Sequence, residues 1–90
     1  MHTEEITSEL RRFIREQFAI PEDDPDFSDE IDLFNYGYID SFGAVELTGF
    51  IERQFGTTFA DSDWTNFPLS SIREISTFVA KRLEEESNHA

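Results

Sequence analysis

The sequence predicts a small all-α domain with three longer helices and one short helix. Three stretches of the 90-residue chain place apolar side chains three and four residues apart, the spacing of one helix face. No stretch alternates apolar and polar residues as a half-buried strand does. A chain of this length buries about 60–70% of its unfolded surface, enough for one modest core. We therefore expect a single domain over residues 1–90, with an ordered core over about residues 3–85.

The first helix is predicted near the amino terminus. Its apolar face comprises Ile6, Leu10, Phe13, Ile14 and Phe18. Thr3 is placed to cap this helix, and the two acids that follow it interact favourably with the helix dipole. Pro21 predicts its end, because proline disfavours helical geometry in the residue before it.

Residues 21–40 form a long connection that contains eight acidic residues and no basic one. Its apolar residues are predicted to pin it across the bundle: Phe27, Ile31, Leu33 and Phe34. A calcium loop starting at Asp24 or Asp26 is excluded, because the glycine at its sixth position and the glutamate at its twelfth are both missing. Looser binding of divalent ions stays open, but no residue cluster predicts a defined metal site.

The second helix is predicted to run from Ser41 to about Phe55, with Gly56 as its C-terminal stop. Its core face comprises Ala44, Leu47, Thr48, Ile51 and Phe55. On or beside the other face lie Phe42, Val45, Glu46, Gly49 and Glu52. An exposed Phe42–Val45 pair flanked by acids is typical of a docking surface. The alternative is that Phe42 folds back onto the preceding loop.

The chain beyond Gly56 is predicted to be irregular over residues 58–68, with one short helical turn around residues 61–64. Trp64 in this turn is interpreted as a packing residue in preference to a ligand contact. The last helix begins at Ser71, because Ser71 and Glu74 have the spacing of a capping box. Its apolar face comprises Ile72, Ile75, Phe78, Val79 and Leu83.

The charge balance restricts the partners of the protein. Twenty acids against seven bases give a formal charge of −13, so nucleic acid and anionic membrane surfaces repel the domain and basic protein patches attract it. The chain has no cysteine, which excludes disulfides and thiolate metal sites. No apolar run is long enough to span a membrane, and residues 1–5 lack the basic start of a signal peptide. We expect a cytoplasmic monomer.

Asp40 and Ser41 stand where the acidic connection meets the second helix. Either side chain can accept from the unpaired N–H groups of a first helical turn, so the pair is locally typical of a helix cap. A serine hydrolase is disfavoured, because Ile39 stands where a nucleophile elbow needs glycine. The two histidines that could act as a base, His2 and His89, lie near the chain ends. We predict no catalytic residue and interpret Ser41 as the substrate of another enzyme.

The run Gly-Tyr-Ile-Asp-Ser-Phe-Gly at residues 37–43, followed by an amphipathic helix, resembles the acyl carrier protein family. In that family the serine of an Asp-Ser-hydrophobic motif is esterified by a 4′-phosphopantetheine arm that comes from coenzyme A. The resemblance extends from the helix near residue 6 to the helix that ends near residue 84. It implies a small four-helix bundle of the acyl-carrier type.

The resemblance implies that Ser41 bears the arm, which holds an acyl or aminoacyl group as a thioester. It implies three kinds of partner: a phosphopantetheinyl transferase, an acyl- or aminoacyl-loading ligase, and a downstream transferase or synthase of lipid or secondary-metabolite biosynthesis. The residues expected to meet these enzymes are Asp40, Phe42, Val45, Glu46 and Glu52. Arg53 departs from the family pattern, because many members continue the acidic run there.

The details of the motif point to a branch of the family. Gly37 lies four residues before Ser41, whereas fatty-acid carriers usually have this glycine three residues before the serine. This spacing, the Phe42-Gly43 pair and the Asp63-Trp64 segment are more similar to stand-alone aminoacyl carriers of the D-alanyl type and to specialised acyl carriers. Peptidyl carriers within large synthetases typically have histidine in place of Asp40.

A function from another class is also consistent with the residues. The chain would then be a non-enzymatic acidic helical module that binds basic protein partners, with Ser41 serving only as a helix cap. Covalent modification of Ser41 distinguishes the two functions.

Overall fold

A computed structural model describes residues 2–87, which form four helices and no strand. Helix α1 spans Thr3–Gln17, α2 spans Ser41–Phe55, α3 spans Asp61–Asn66 and α4 spans Ile72–Ser87. The predicted all-α architecture of three longer helices and one short helix is confirmed. No helix in this range is both long enough and apolar enough to cross a membrane.

The core is built from the predicted helix faces. The side chains that are fully buried include Ile6, Leu10 and Ile14 of α1, Leu47 and Ile51 of α2, and Ile72, Ile75 and Val79 of α4. Burying each such side chain contributes about 1.5–3 kcal/mol, so these three faces supply most of the driving force for folding. In α2 the buried face is shifted slightly from the predicted one, because Gly43 is buried whereas Ala44 and Thr48 are half-buried.

Both ends of α1 differ from the sequence prediction. Thr3 is not the N-cap, because the helix starts one residue earlier than expected and His2 occupies the cap position without a side-chain hydrogen bond. At the other end Ala19 adopts a left-handed conformation (φ 52°), and the N–H of Ile20 donates to the carbonyl of Arg15 at 3.0 Å. This bond closes the C-terminus of α1, which ends at Gln17, before Pro21 is reached. Ile20 is buried in the core.

The acidic connection between α1 and α2 is fastened by Asp29. Its carboxylate accepts two hydrogen bonds from Arg11 of α1, at 2.8 and 2.6 Å, and its carbonyl accepts from the N–H of Arg73 of α4 at 2.9 Å. The hydrogen bond from Arg11 lowers the pKa of Asp29 below its ordinary value. The Arg73 guanidinium also lies 2.8 Å from the Glu30 carboxylate. The two helices that the connection crosses thus supply positive charge that it lacks.

The apolar residues of the connection pack against the core, as predicted. Phe27 and Leu33 are buried, and Ile31 and Phe34 are half-buried against the core. The N–H of Leu33 also donates to the carbonyl of Ser70 at 2.8 Å, which joins the connection to the segment before α4. The connection is therefore a packed part of the fold.

The short helix α3 is fixed through Asp63, which is buried. One carboxylate oxygen of Asp63 accepts from the N–H of Ala60 at 2.9 Å, and the other lies 3.4 Å from Arg82 of α4. The predicted capping box of α4 is present, since the Ser71 hydroxyl accepts from the Glu74 N–H at 3.1 Å. The Glu74 carboxylate returns to the N–H of Ser70, one residue earlier than predicted.

The Asp29 contacts make a prediction about acid stability. At neutral pH, Asp29→Asn should lower the free energy of unfolding by about 1–2 kcal/mol, because it removes a bidentate ion pair. Because the folded-state pKa is lowered, this stabilisation is present above the unfolded value of about 3.9 and is lost as pH falls through the folded value. Urea unfolding at several pH values should show the deficit of the variant shrinking below about pH 4.

The exposed acid Asp23 in the same connection provides a matched control. Asp23→Asn makes the same change of charge and should leave stability near that of the wild type at every pH. An equal deficit in both variants, or a deficit of Asp29→Asn that persists in acid, would contradict the assignment of this stabilisation to the Asp29 ion pair.

Candidate functional site

At the N-terminus of α2, Asp40 and Ser41 have different roles, although the sequence alone allowed either to be the cap. Asp40 is the N-cap: its backbone is extended and its carboxylate accepts from the Gly43 N–H at 2.8 Å. Ser41 is the first residue of the helix, and its side chain is exposed. Within residues 2–87 the Ser41 hydroxyl makes no hydrogen bond, so it has no capping role.

Ser41 is exposed between two buried residues, Ile39 and Gly43. A Cβ atom on Gly43 would lie 2.8 Å from the Cγ2 of Ile39 and 2.8 Å from the Cε1 of Phe18, so only glycine permits this approach. The N–H of Ile39 is bonded to the Leu33 carbonyl at 3.1 Å. These contacts fix the backbone on both sides of Ser41 and direct its hydroxyl outward.

Phe42 and Val45 form an exposed apolar pair next to Ser41. The Phe42 side chain is 81% exposed and that of Val45 is 69% exposed. The alternative in which Phe42 folds back onto the preceding loop is therefore wrong. Large apolar side chains held this far out of the core are unusual and commonly mark a contact surface. The exposed pair expected from the sequence is present.

An open groove of about 480 Å³ begins at Ser41 and runs between α2, α3 and the segment that precedes α4. Its apolar walls include Ala44, Trp64, Phe67 and Leu69. No sequence pattern predicts this groove, because residues 67–69 carry no periodic signal and their position depends on how α3 packs.

Trp64 fixes one wall of this groove. Its indole N–H donates to the Thr48 hydroxyl of α2 at 2.9 Å, and its ring packs 5.0 Å from that of Phe59 and 5.8 Å from that of Phe34. Trp64 is therefore a packing residue, as predicted. It attaches α3 to α2 while leaving part of its ring on the groove.

Glu46 and Glu52 lie on different flanks of α2. The Glu46 carboxylate accepts from the side-chain amide of Gln17 of α1, whereas the Glu52 carboxylate accepts from the N–H of Phe59 at 3.2 Å. Six residues correspond to about 240° around a helix, which accounts for the separation. Both side chains remain exposed, so each flank presents a negative charge.

The first turn of α2 also exposes hydrogen-bond donors. The N–H groups of Ser41 and Phe42 make no hydrogen bond within residues 2–87. Such donors and the helix dipole favour an anion at this end. As for a base, His2 immediately precedes α1 and His89 lies outside the described residues. In the described range, no group of three or more His, Cys or acidic side chains is arranged to bind a metal ion.

Comparison with known proteins gives a family match for most of the chain. A family model described as a phosphopantetheine attachment site matches residues 8–79. The matched range contains the Asp40–Ser41 junction, the whole of α2 and α3, most of α1 and the first half of α4. A comparison with curated proteins gave no match.

The different roles of Asp40 and Ser41 predict different effects of their substitution on stability. Asp40→Ala should lower the free energy of unfolding by about 0.5–2 kcal/mol, because it removes the cap of α2. Ser41→Ala should change it by no more than about 0.5 kcal/mol, because the side chain is exposed and unbonded. Chemical denaturation of the two variants measures both values. A larger loss from Ser41→Ala than from Asp40→Ala would show that the cap is wrongly assigned.

Proposed function

The chain belongs to the phosphopantetheine attachment family of acyl carrier proteins, and from this premise we propose that it carries the 4′-phosphopantetheine arm on Ser41. The observation that supports this position is the hydroxyl of Ser41, which is exposed and unbonded at the first residue of α2. Because Asp40 caps the helix, modification of Ser41 removes no capping bond.

The surroundings of Ser41 fit such a group. The unbonded N–H groups of Ser41 and Phe42, together with the dipole of α2, favour the negative charge of a phosphodiester. The groove that begins at Ser41 has apolar residues among its lining, and these offer a surface to the uncharged part of the arm. When bound, the arm supplies the thiol that holds an acyl or aminoacyl group as a thioester.

The role of the chain in its own modification is that of a substrate. A serine hydroxyl needs a general base before it becomes a nucleophile. The only histidine in the described range, His2, immediately precedes α1. We therefore assign the base to a phosphopantetheinyl transferase, with coenzyme A as the donor, and assign to this chain the presentation of the hydroxyl.

Partner enzymes are proposed to dock on the exposed side of α2. This docking surface comprises Asp40, Phe42, Val45, Glu46 and Glu52. Phe42 and Val45 supply apolar contact area, and the acids on the two flanks attract cationic residues of the partner. The transferase, the loading ligase and the downstream transferase or synthase all act close to Ser41 or to the end of its arm, so they share this surface.

The cargo is proposed to be an aminoacyl group or a specialised acyl group. The support is the spacing of Gly37 from Ser41 together with the Phe42-Gly43 and Asp63-Trp64 pairs, which resemble those branches of the family. The groove beside Ser41 has a mixed lining that contains one acidic side chain, Asp61.

The attachment site is tested by covalent labelling. Incubation of the wild-type chain with a phosphopantetheinyl transferase and coenzyme A should add the mass of one phosphopantetheine group. Ser41→Ala should fold normally and gain nothing, whereas Ser62→Ala, which removes another exposed serine at the start of a helix, should be labelled as the wild type is. Intact-mass spectrometry measures each product.

Two outcomes of this labelling would count against the proposal. Labelling of a folded Ser41→Ala protein would place the arm on another residue. Failure of the wild-type chain to be labelled would favour the acidic interaction module.

The docking surface is tested by reversing its acids. Glu46→Lys with Glu52→Lys should slow modification at low salt by about tenfold, because rim charges act mainly on the association rate. Added salt should reduce the difference. Glu84→Lys with Glu85→Lys changes the net charge equally on exposed residues of α4 and should have little effect. Equal rates for both double variants would remove Glu46 and Glu52 from the docking surface.

A further inference from the structure

The exposed side of α2 carries a positive charge in the middle of its docking surface. Phe42, Val45, Gly49 and Arg53 succeed one another by three, four and four residues, so they form one row along the helix. The row lies about 140–180° around the helix from the buried Leu47 and Ile51, as measured from Phe42. Any surface that covers Phe42 and Val45 therefore also approaches Arg53.

Gly49 sets the position of the Arg53 charge. The side chain of Arg53 is folded toward the start of α2, and its Nη1 lies 3.0 Å from where a Cβ atom on Gly49 would be. The guanidinium is thus placed over Gly49, about 6 Å along the helix axis from Val45. Arg53 is exposed and forms no ion pair within residues 2–87.

The guanidinium lies between the two carboxylates of the docking surface. Positions 46, 49 and 52 are three residues apart, so they are neighbours along one diagonal row of the helix surface. Glu46 occupies the flank toward α1 and Glu52 the flank toward Phe59. A partner that approaches α2 therefore meets a negative, a positive and a negative charge in succession.

This order of charges constrains the partner. A uniformly cationic patch would attract the two carboxylates but would bring like charge against Arg53, and a like charge at an interface disfavours the wrong partner. We propose that an enzyme which modifies Ser41 docks α2 with a carboxylate opposite Arg53, between the cationic residues that meet Glu46 and Glu52. The proposal rests on the proposed function, because it requires an enzyme that acts at Ser41.

The sign of the effect of charge reversal tests this proposal. The probe is a phosphopantetheinyl transferase that modifies the wild-type chain in the presence of coenzyme A, with kcat/KM measured at low and high salt. Arg53→Glu should lower kcat/KM by about tenfold at low salt, chiefly through KM, and the loss should diminish with added salt. Lys81→Glu makes the same change of net charge on an exposed residue of α4 and should leave kcat/KM near the wild-type value.

Opposite outcomes distinguish the two kinds of partner surface. A transferase with a uniformly basic docking surface would modify Arg53→Glu faster than the wild type. Either a faster or an unchanged rate would overturn the inference. Circular dichroism and thermal unfolding establish that Arg53→Glu is folded. If it is not folded, Arg53→Gln tests the inference instead, and it should also lower kcat/KM, by less than about tenfold.

The result also separates this inference from the proposed function. Absence of labelling in the wild-type chain would overturn the proposed function and the inference together. Normal labelling of the wild type with no loss in the Arg53 variants would overturn the inference alone.

Discussion

The close contact of Gly43 with Phe18 and Ile39 determines where α2 begins and which way its first residues face. A side chain at position 43 would meet ring and methyl carbons at 2.8 Å, so the first turn of α2 can lie this close to the end of α1 only with glycine there. Because Gly43 and Ile39 face inward, Ser41 and Phe42 between them face solvent. The outward direction of the Ser41 hydroxyl is thus tied to this contact, whereas the groove beside it also depends on the packing of α3.

The acidic connection between α1 and α2 packs against the helices because their arginines offset part of its negative charge. Residues 21–40 contain no base of their own, yet Arg11 and Arg73 meet Asp29 from two helices, and Arg15 lies over the ring of Phe27 at 4.7 Å. Bases that are distant in sequence thus neutralise part of the connection, while its other acids remain on the surface. The net charge of the chain stays strongly negative without preventing the connection from packing.

Periodicity was sufficient to predict the helices, because each long helix buries a face with three- and four-residue spacing. Periodicity could not decide between Asp40 and Ser41 as the cap. Both residue types suit that position, and a periodic pattern does not locate the start of a helix to within one residue. Thr3 failed as a cap for the same reason, because the helix starts one residue earlier. The groove and the position of Arg53 depend on tertiary packing and on the absence of a side chain at Gly49, neither of which a periodic pattern contains.

The chain has a single tryptophan, and that residue lies on the groove beside Ser41 with its N–H bonded to Thr48. Indole fluorescence responds to the polarity and hydration of its surroundings. Any group that enters or leaves this groove therefore alters the emission of one defined fluorophore, with no other tryptophan to obscure the signal. The protein has an intrinsic optical reporter beside its candidate attachment site, and the occupancy of the groove can be followed in real time without a label.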